Sequence, residues 1–374
     1  MTTILSIDTS SADAVDAADS VPVVARARDF ALEELAPQAL RTDAEGVSPE
    51  IVDRLRTLGL LNAHAPAEFG GAQVNKAGER RIHEYIARGD FNIWLVWAQH
   101  SGVVTHFSER AESGKSVGDF GERVLRGEIF TGTAISDVRH YPQRYVRATA
   151  VDGGWNIEGT VSWVSGWGIN QLLTVAAIDP RTETRLLVVV DVADERIHAE
   201  KLPLVAASGS HTWRVRFDAV FVPEGDVVTQ APISEWGNKD RAIVSDIRAH
   251  AFGVAHTILD ELGASESEDA VAVAQAWRPR FGEFRAQAYG LNDRAESDPR
   301  GPQHLAERLA VKVDMLRSLQ EIARALVVSR AGSAIVGTDT AQLHFRSALF
   351  LQIQSQNSHT RAAQLKAIAS SANE

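Results

Sequence analysis

Two stretches of this sequence carry side chains suited to holding a flat heteroaromatic group. The first is Gly159-Thr160-Val161-Ser162-Trp163-Val164-Ser165-Gly166-Trp167-Gly168, which reads as a strand ending in a small, hydroxyl-bearing turn. Strand alternation sets Trp163 and Ser165 on one face and Ser162 and Val164 on the other. A large ring beside a hydroxyl, followed by Gly166 for close backbone approach, suits a planar cofactor. A core tryptophan at a sheet edge with a turn serine is the plainer alternative. The second stretch is Gly132-Thr133-Ala134-Ile135-Ser136-Asp137, where Ser136 offers a hydroxyl and a backbone N–H. Its plainer alternative is a strand end capped by Ser and Asp.

Other chemistries are missing their spellings. No GxGxxG follows a strand, and there is no Walker loop, HExxH or GxSxG. The 12 histidines are scattered, and His250 and His256 stand six apart, so a metal site is not expected. With no cysteine, disulfides, thiolate nucleophiles and iron–sulfur centres fall away together, which fits a reducing cytoplasm. The net charge of −11 leaves no basic field for nucleic acid or anionic lipid. The first twenty residues have no basic n-region and no apolar h-region, so no secretory signal is expected. Apolar runs such as 172–178 are too short for a bilayer.

The elements that must position these residues fall into zones. At 374 residues, with 44% hydrophobic and 23% charged, the chain is a globular protein of two or three domains. Residues 1–21, rich in Ser, Asp and Ala, read as a flexible tail. Residues 22–130 read as an N-terminal helical domain: Pro22 suits a first helical turn, Pro37 closes that segment, and further helices span 48–59, 80–88 and 91–106. In 131–237 the period changes to two, with strands expected at 129–136, 145–151, 155–165, 172–178, 185–192 and 212–222. The Asp152-Gly153-Gly154 turn is a hairpin signal. Residues 238–374 read as helices at 241–262, 269–292, 303–336 and 340–370, with a break at 296–302. Strands gathered into one block between helical zones give an α+β, mostly α architecture and argue against a Rossmann sheet.

Five segments, in order, resemble the acyl-CoA dehydrogenase superfamily of flavoproteins. Residues 55–61 (LRTLGLL) and 65–71 (APAEFGG) are similar to its N-terminal signature, and Gly132 to Asp137 to its first flavin-contacting strand. There Ser136 takes the place of the usual Thr and Asp137 that of the usual Glu. Gly159 to Gly166 resembles the GxKxWIT strand, Trp163 and Ser165 matching the residues that touch the flavin ring. FDAVFVPE (217–224) resembles the strand closing the β domain, and 241–262 the first C-terminal helix. The resemblance spans about residues 22–370. It implies an N-terminal helical domain, a central β-barrel-like domain and a C-terminal four-helix bundle. It also implies FAD or FMN bound through Ser136, Trp163, Ser165 and Gly166, and a homodimer or homotetramer.

The departures point within the family. The dehydrogenases need a carboxylate base, yet no GGxGY segment with its Glu precedes the C-terminus. Asp246 and Asp240 are the nearest carboxylates in the first C-terminal helix, and Arg280-Phe281-Gly282 only partly echoes the segment that reaches a neighbouring subunit's FAD. One branch, flavin monooxygenases supplied with reduced flavin by a separate reductase, lacks that Glu, carries a Ser-Gly turn like Ser165-Gly166, and uses histidines in the regions of His100 and His359. The expected function is therefore a flavin-dependent oxidoreductase, favoured as a two-component monooxygenase or hydroxylase of a small organic substrate, with His100 and His359 assisting. The alternatives are an acyl-thioester α,β-dehydrogenase with Asp246 as a non-standard base, and a non-catalytic family member.

Overall fold

The computed structural model describes residues 8–297 and 304–372. In chain order, helices α1 (Ser10–Ala17), α2 (Pro22–Asp29), α3 (Ala39–Glu45), α4 (Ile51–Thr57), α5 (Lys76–Gly89), α6 (Phe91–Glu112) and α7 (Gly118–Leu125) come first. Strands β1 (Thr131–Ala134), β2 (Val146–Val151), β3 (Gly154–Val164), β4 (Leu172–Asp179), β5 (Thr184–Asp191), β6 (Ile197–Lys201), β7 (Trp213–Pro223) and β8 (Val227–Pro232) follow. Helices α8 (Ile233–Ser245), α9 (Ala249–Gly263), α10 (Glu268–Ser297), α11 (Leu305–Arg330), α12 (Thr340–Ile353) and α13 (Ser358–Ser371) complete the described chain. The architecture is the expected mostly helical one around a central sheet. The chain forms two compact units: Met1–Leu40, Lys76–Phe91 and Asp240–Glu374 in one, Arg41–Asn75 and Asn92–Lys239 in the other.

In the first unit α9, α10, α11 and α12 pack as a bundle, and α5 lies along α9. Gly253 makes that last contact close: a Cβ there would stand 2.2 Å from the Glu84 carbonyl oxygen. Beneath it, the Glu84 carboxylate is 1% exposed. It accepts from Arg285 (2.6 and 3.1 Å), from Arg81 (2.9 Å) and from the Tyr289 hydroxyl (2.6 Å). Arg285 also holds Asp16, and Arg81 holds Asp19 at 2.7 Å. These two aspartates anchor the stretch expected to be a loose tail. Within its described part, residues 10–17 are helical and Val15 is fully buried, because ion pairs supply what its sparse apolar content cannot.

Three other expectations need correction. Pro37 does not end the N-terminal helical run; a π-helical turn at Phe30–Leu35 and a 3₁₀ turn at Ala36–Gln38 accommodate the missing donor, and α3 continues. The expected helix 241–262 is two helices, broken after Ser245, where Arg308 and Lys312 take the carbonyls of Ala242 and Val244. The expected helix 340–370 breaks at Gln354, and α13 restarts on a capping box between Asn357 and Thr360. The expected break at 296–302 lies mostly outside the described residues.

The second unit is built on one eight-stranded sheet in the order β6-β7-β3-β2-β4-β5-β8, with β1 pairing in parallel with β4. It curls around a core in which Ile157, Val161, Leu173, Val175, Val188, Val215 and Phe217 meet. Two strands were not legible. β6 and β8 are edge strands with few buried positions, and β8 ends in Pro232. On the outer side, α6 packs Val103, Val104 and Phe107 with Leu172 and Val228. That contact fixes where α6 delivers its polar side chains to the start of β1.

Candidate functional site

The ends of β1 and β3 are held together by one buried carboxylate. Asp137, just beyond β1, accepts from the Ser162 backbone N–H at 2.6 Å and the Ser162 hydroxyl at 3.1 Å. It also accepts from the Ser136 hydroxyl at 3.0 Å and pairs with Arg144 at 2.5 Å. A β-bulge between Val161 and Val164 lets β3 present Ser162 to this clamp. Next to it Trp163 stands 42% exposed, an unusual setting for an indole. Ser136, Ser162 and Trp163 are thus brought to one edge, while the Ser136 hydroxyl is engaged by Asp137.

Past the bulge the simple alternation of Trp163 and Ser165 fails: β3 ends at Val164 and Ser165 opens a buried turn. Gly166 has φ +77, and a Cβ there would come within 2.9 Å of Asn170 Oδ1. Asn170 donates to the Ser165 carbonyl at 2.8 Å, and a Cβ on Gly132 would collide with its amide at 2.2 Å. Asn170 Oδ1 itself is buried and has no partner, an uncommon state for an amide oxygen. The turn is tied to the segment before β7, because Gly166 N–H donates to Ser210 O and Trp167 N–H to His211 O, each at 3.0 Å.

Hydroxyls on the two segments form a chain whose proton order can be deduced. Ser165 Oγ lies 2.8 Å from Thr212 Oγ1, which lies 2.8 Å from Ser210 Oγ. Ser210 in turn donates to the Ala207 carbonyl at 2.6 Å. A carbonyl only accepts, so the Ser210 proton is committed; Thr212 must then donate to Ser210, and Ser165 to Thr212. Ser165 Oγ is left with open lone pairs and no free proton.

His100 does not enter this arrangement as an acid or base. It is fully buried on α6, with Nε2 donating to the Leu61 carbonyl at 3.0 Å and Nδ1 accepting from Thr131 N–H at 3.3 Å. Both ring nitrogens serve backbone groups, so it is a neutral brace at the foot of β1. Its neighbour Gln99 adds a second brace to Thr133 at 2.5 Å. The other two expected catalytic residues belong to the first unit. Asp246 is committed to Arg308 at 2.5 Å through both oxygens and accepts from Asn292 at 3.1 Å, which removes it as a free base. His359 is exposed on the first turn of α13. Sequence reasoning missed Asp137 as a clamp, Asn170, and the Ser210–Thr212 pair. Only Asp137 had a local signal, its position beside Ser136.

Burial holds His100 down to about 4 and His250 down to about 3, against an ordinary 6.5. In the unfolded chain each imidazole protonates near 6.5, so below that pH the unfolded state binds more protons and stability falls. For His100 the loss runs from about pH 6.5 to about pH 4 and amounts to about 3 kcal/mol. Urea unfolding is expected to show a lower midpoint at the acid end of that window than at neutral pH, with a shallower dependence in His100→Gln. A midpoint independent of pH would exclude the neutral-brace role.

Among the described residues, no group of three or more His, Asp or Glu is arranged for a metal ion, and no helix is long and apolar enough to cross a membrane. Residues 19–111 match the family model of the acyl-CoA dehydrogenase N-terminal domain. Isovaleryl-CoA dehydrogenase of Arabidopsis thaliana is 24% identical over 209 residues, covering 53% of this chain and 51% of that protein. The chain thus spans about half the length of the curated relatives it matches. Butyryl-CoA dehydrogenase from Megasphaera elsdenii shares the fold with a TM-score of 0.75 at 16% identity, covering 99% of this chain and 100% of that one. A nitrososynthase from Micromonospora carbonacea shares it with a TM-score of 0.74 at 19% identity, covering 93% and 97%.

Proposed function

We propose that this chain, which belongs to the acyl-CoA dehydrogenase superfamily, is a flavin-dependent oxidoreductase that works with reduced flavin delivered by a separate reductase and oxygenates a small organic substrate. The carrying observation is the proton order at Ser165, the residue matching the family's flavin contact. Reduced isoalloxazine has an additional ring N–H that the oxidised ring lacks. A hydroxyl that can only accept favours the form that can donate. The residues present fit a flat polar ring: Trp163 offers an exposed indole, and Asn170 Oδ1, whose amide fills the space left by Gly132 and Gly166, is a buried acceptor lacking a donor.

Bound FAD or FMN would supply two-electron redox chemistry and, when reduced, reactivity toward oxygen. The protein's part is positional. Asp137 fixes the two strand ends, Ser165 would accept from the reduced ring, and Trp163 would wall one side. The commitment of Asp246 to Arg308 supports oxygenation over dehydrogenation, which requires a free carboxylate near the substrate α-carbon. The relatives named as dehydrogenases favour the second reading, α,β-dehydrogenation of an acyl-thioester; bleaching of bound FAD by an acyl-CoA without oxygen is its signature.

Anaerobic titration with oxidised and reduced FAD and FMN tests the proposal. Reduced flavin is expected to bind about tenfold more tightly, the worth of about one hydrogen bond. Thr212→Val removes the acceptor of the Ser165 proton and is expected to shrink that preference. Equal or tighter binding of the oxidised form by the unaltered protein would overturn the reading, and binding of neither form would favour a non-catalytic family member.

A further inference from the structure

The outer face of β5 and β8 carries Arg185, for which no ion pair is found among the described residues. Leu186 and Val188 point into the core of the curled sheet, while Leu187 packs outside it with Tyr145, Ile233 and Trp236. Arg185 shares the outer face with Leu187, and the antiparallel register sets these two opposite Ala231 and Thr229. Arg185 and Thr229 are therefore diagonal neighbours on one surface. Helix α6 covers the adjoining part of this face through Phe107 and Val228. It brings in His106, close enough for Arg110, Arg185 and Lys239 to act on its ring.

Three polar atoms here are buried without a partner: Arg185 Nε, His106 Nε2 and Thr229 Oγ1. Orphaned buried donors are costly, and a guanidinium N–H is among the costliest. Burial alone pushes Arg185 below its usual range, with no carboxylate offsetting it. Burial lowers His106, and Arg110, Arg185 and Lys239 lower it further. The charges that act on the His106 ring are all cationic. A tetrahedral dianion answers such a field, since it accepts at several oxygens at once from a guanidinium, a hydroxyl and an ammonium.

We propose that Arg185, Thr229, His106 and Lys239 form a binding site for a phosphate group. The inference does not depend on the flavin reading, since it uses none of the residues of that site. The test is calorimetric titration of the full chain with inorganic phosphate, at ionic strength held constant with chloride, and with AMP as an organic phosphate. Saturable binding of phosphate is expected, weakened about tenfold by Arg185→Gln and about threefold by Lys239→Gln, in line with loss of a charge-assisted bond and of an exposed cation. Lys239 is exposed, so Lys239→Gln keeps the fold even if Arg185→Gln does not. AMP binding more tightly than phosphate and competing with it would identify a phosphate carried on a larger molecule; phosphate binding alone would identify the free anion. Absence of saturable binding of either, or affinities unchanged in both variants, would overturn the proposal.

Discussion

Glu84→Ala is expected to destabilise the unit containing α5, α9 and α10 by about 3–5 kcal/mol, the largest effect of any single change considered for this protein. The carboxylate is almost completely buried and answers two arginines and a tyrosine. Removing it leaves Arg285, itself buried, facing Arg81 with only the more exposed Asp16 and Asp19 to balance them. Burial, together with the Glu84 charge, holds the Tyr289 hydroxyl well above its usual range, which also marks this pocket as poorly solvated. Urea unfolding followed by circular dichroism measures the loss. A change under about 1 kcal/mol, the value of an exposed pair, would show that the network is not the buried one described. Replacing Glu84 and Arg285 together by apolar residues of similar volume is expected to recover much of the loss, because no lone charge then remains inside.

Asp137→Ala is expected to weaken binding of reduced flavin by about 100-fold while leaving the first unit's stability unchanged, a loss of about 2–3 kcal/mol spread over several hydrogen bonds. Four donor groups converge on this side chain from Ser136, Ser162 and Arg144. Without it, the bulged end of β3 has no tie to the end of β1, and the exposed Trp163 loses its fixed position. Asp137→Asn separates geometry from charge. Its amide can still accept from Ser162 but has no charge to hold Arg144, so an intermediate loss is expected. Flavin affinity unaltered in Asp137→Ala would show that the two strand ends do not need each other for binding.

Much of the fold was legible because it follows from local pattern. The six strongest strands alternate or run apolar, and the helical zones on either side show their period and their caps. What escaped depends on partners far away in the chain. Asp16 and Asp19 look like solvated tail residues until Arg285 and Arg81 meet them across α5 and α10. Asp246 looks like an available carboxylate until Arg308, sixty-two residues later, takes both its oxygens. At the candidate site, Trp163, Ser165 and Gly166 announce themselves by type and spacing. The direction of the Ser165 hydroxyl cannot be read there, because Thr212 and Ser210 set it from another strand's approach. His100 misled for the opposite reason: it lies in a region where the branch it resembles carries a histidine, and only its two backbone partners show that it holds a strand in place.

The hydroxyl chain from Ser165 to the Ala207 carbonyl also has a consequence for how such a protein can diversify. The residue that would meet the ligand and the residues that decide whether it gives or takes a proton are encoded more than forty positions apart. Ala207 sits at φ +53, and the following turn keeps its carbonyl aimed at Ser210. A change in that turn that swung the carbonyl away would release the three protons and reverse the polarity at Ser165 with no substitution in either strand. If Ser165 meets a flavin as proposed, preference for one oxidation state can drift by mutation in this buried turn while β3 stays unchanged, so two proteins with identical β3 sequences need not favour the same form of their ligand.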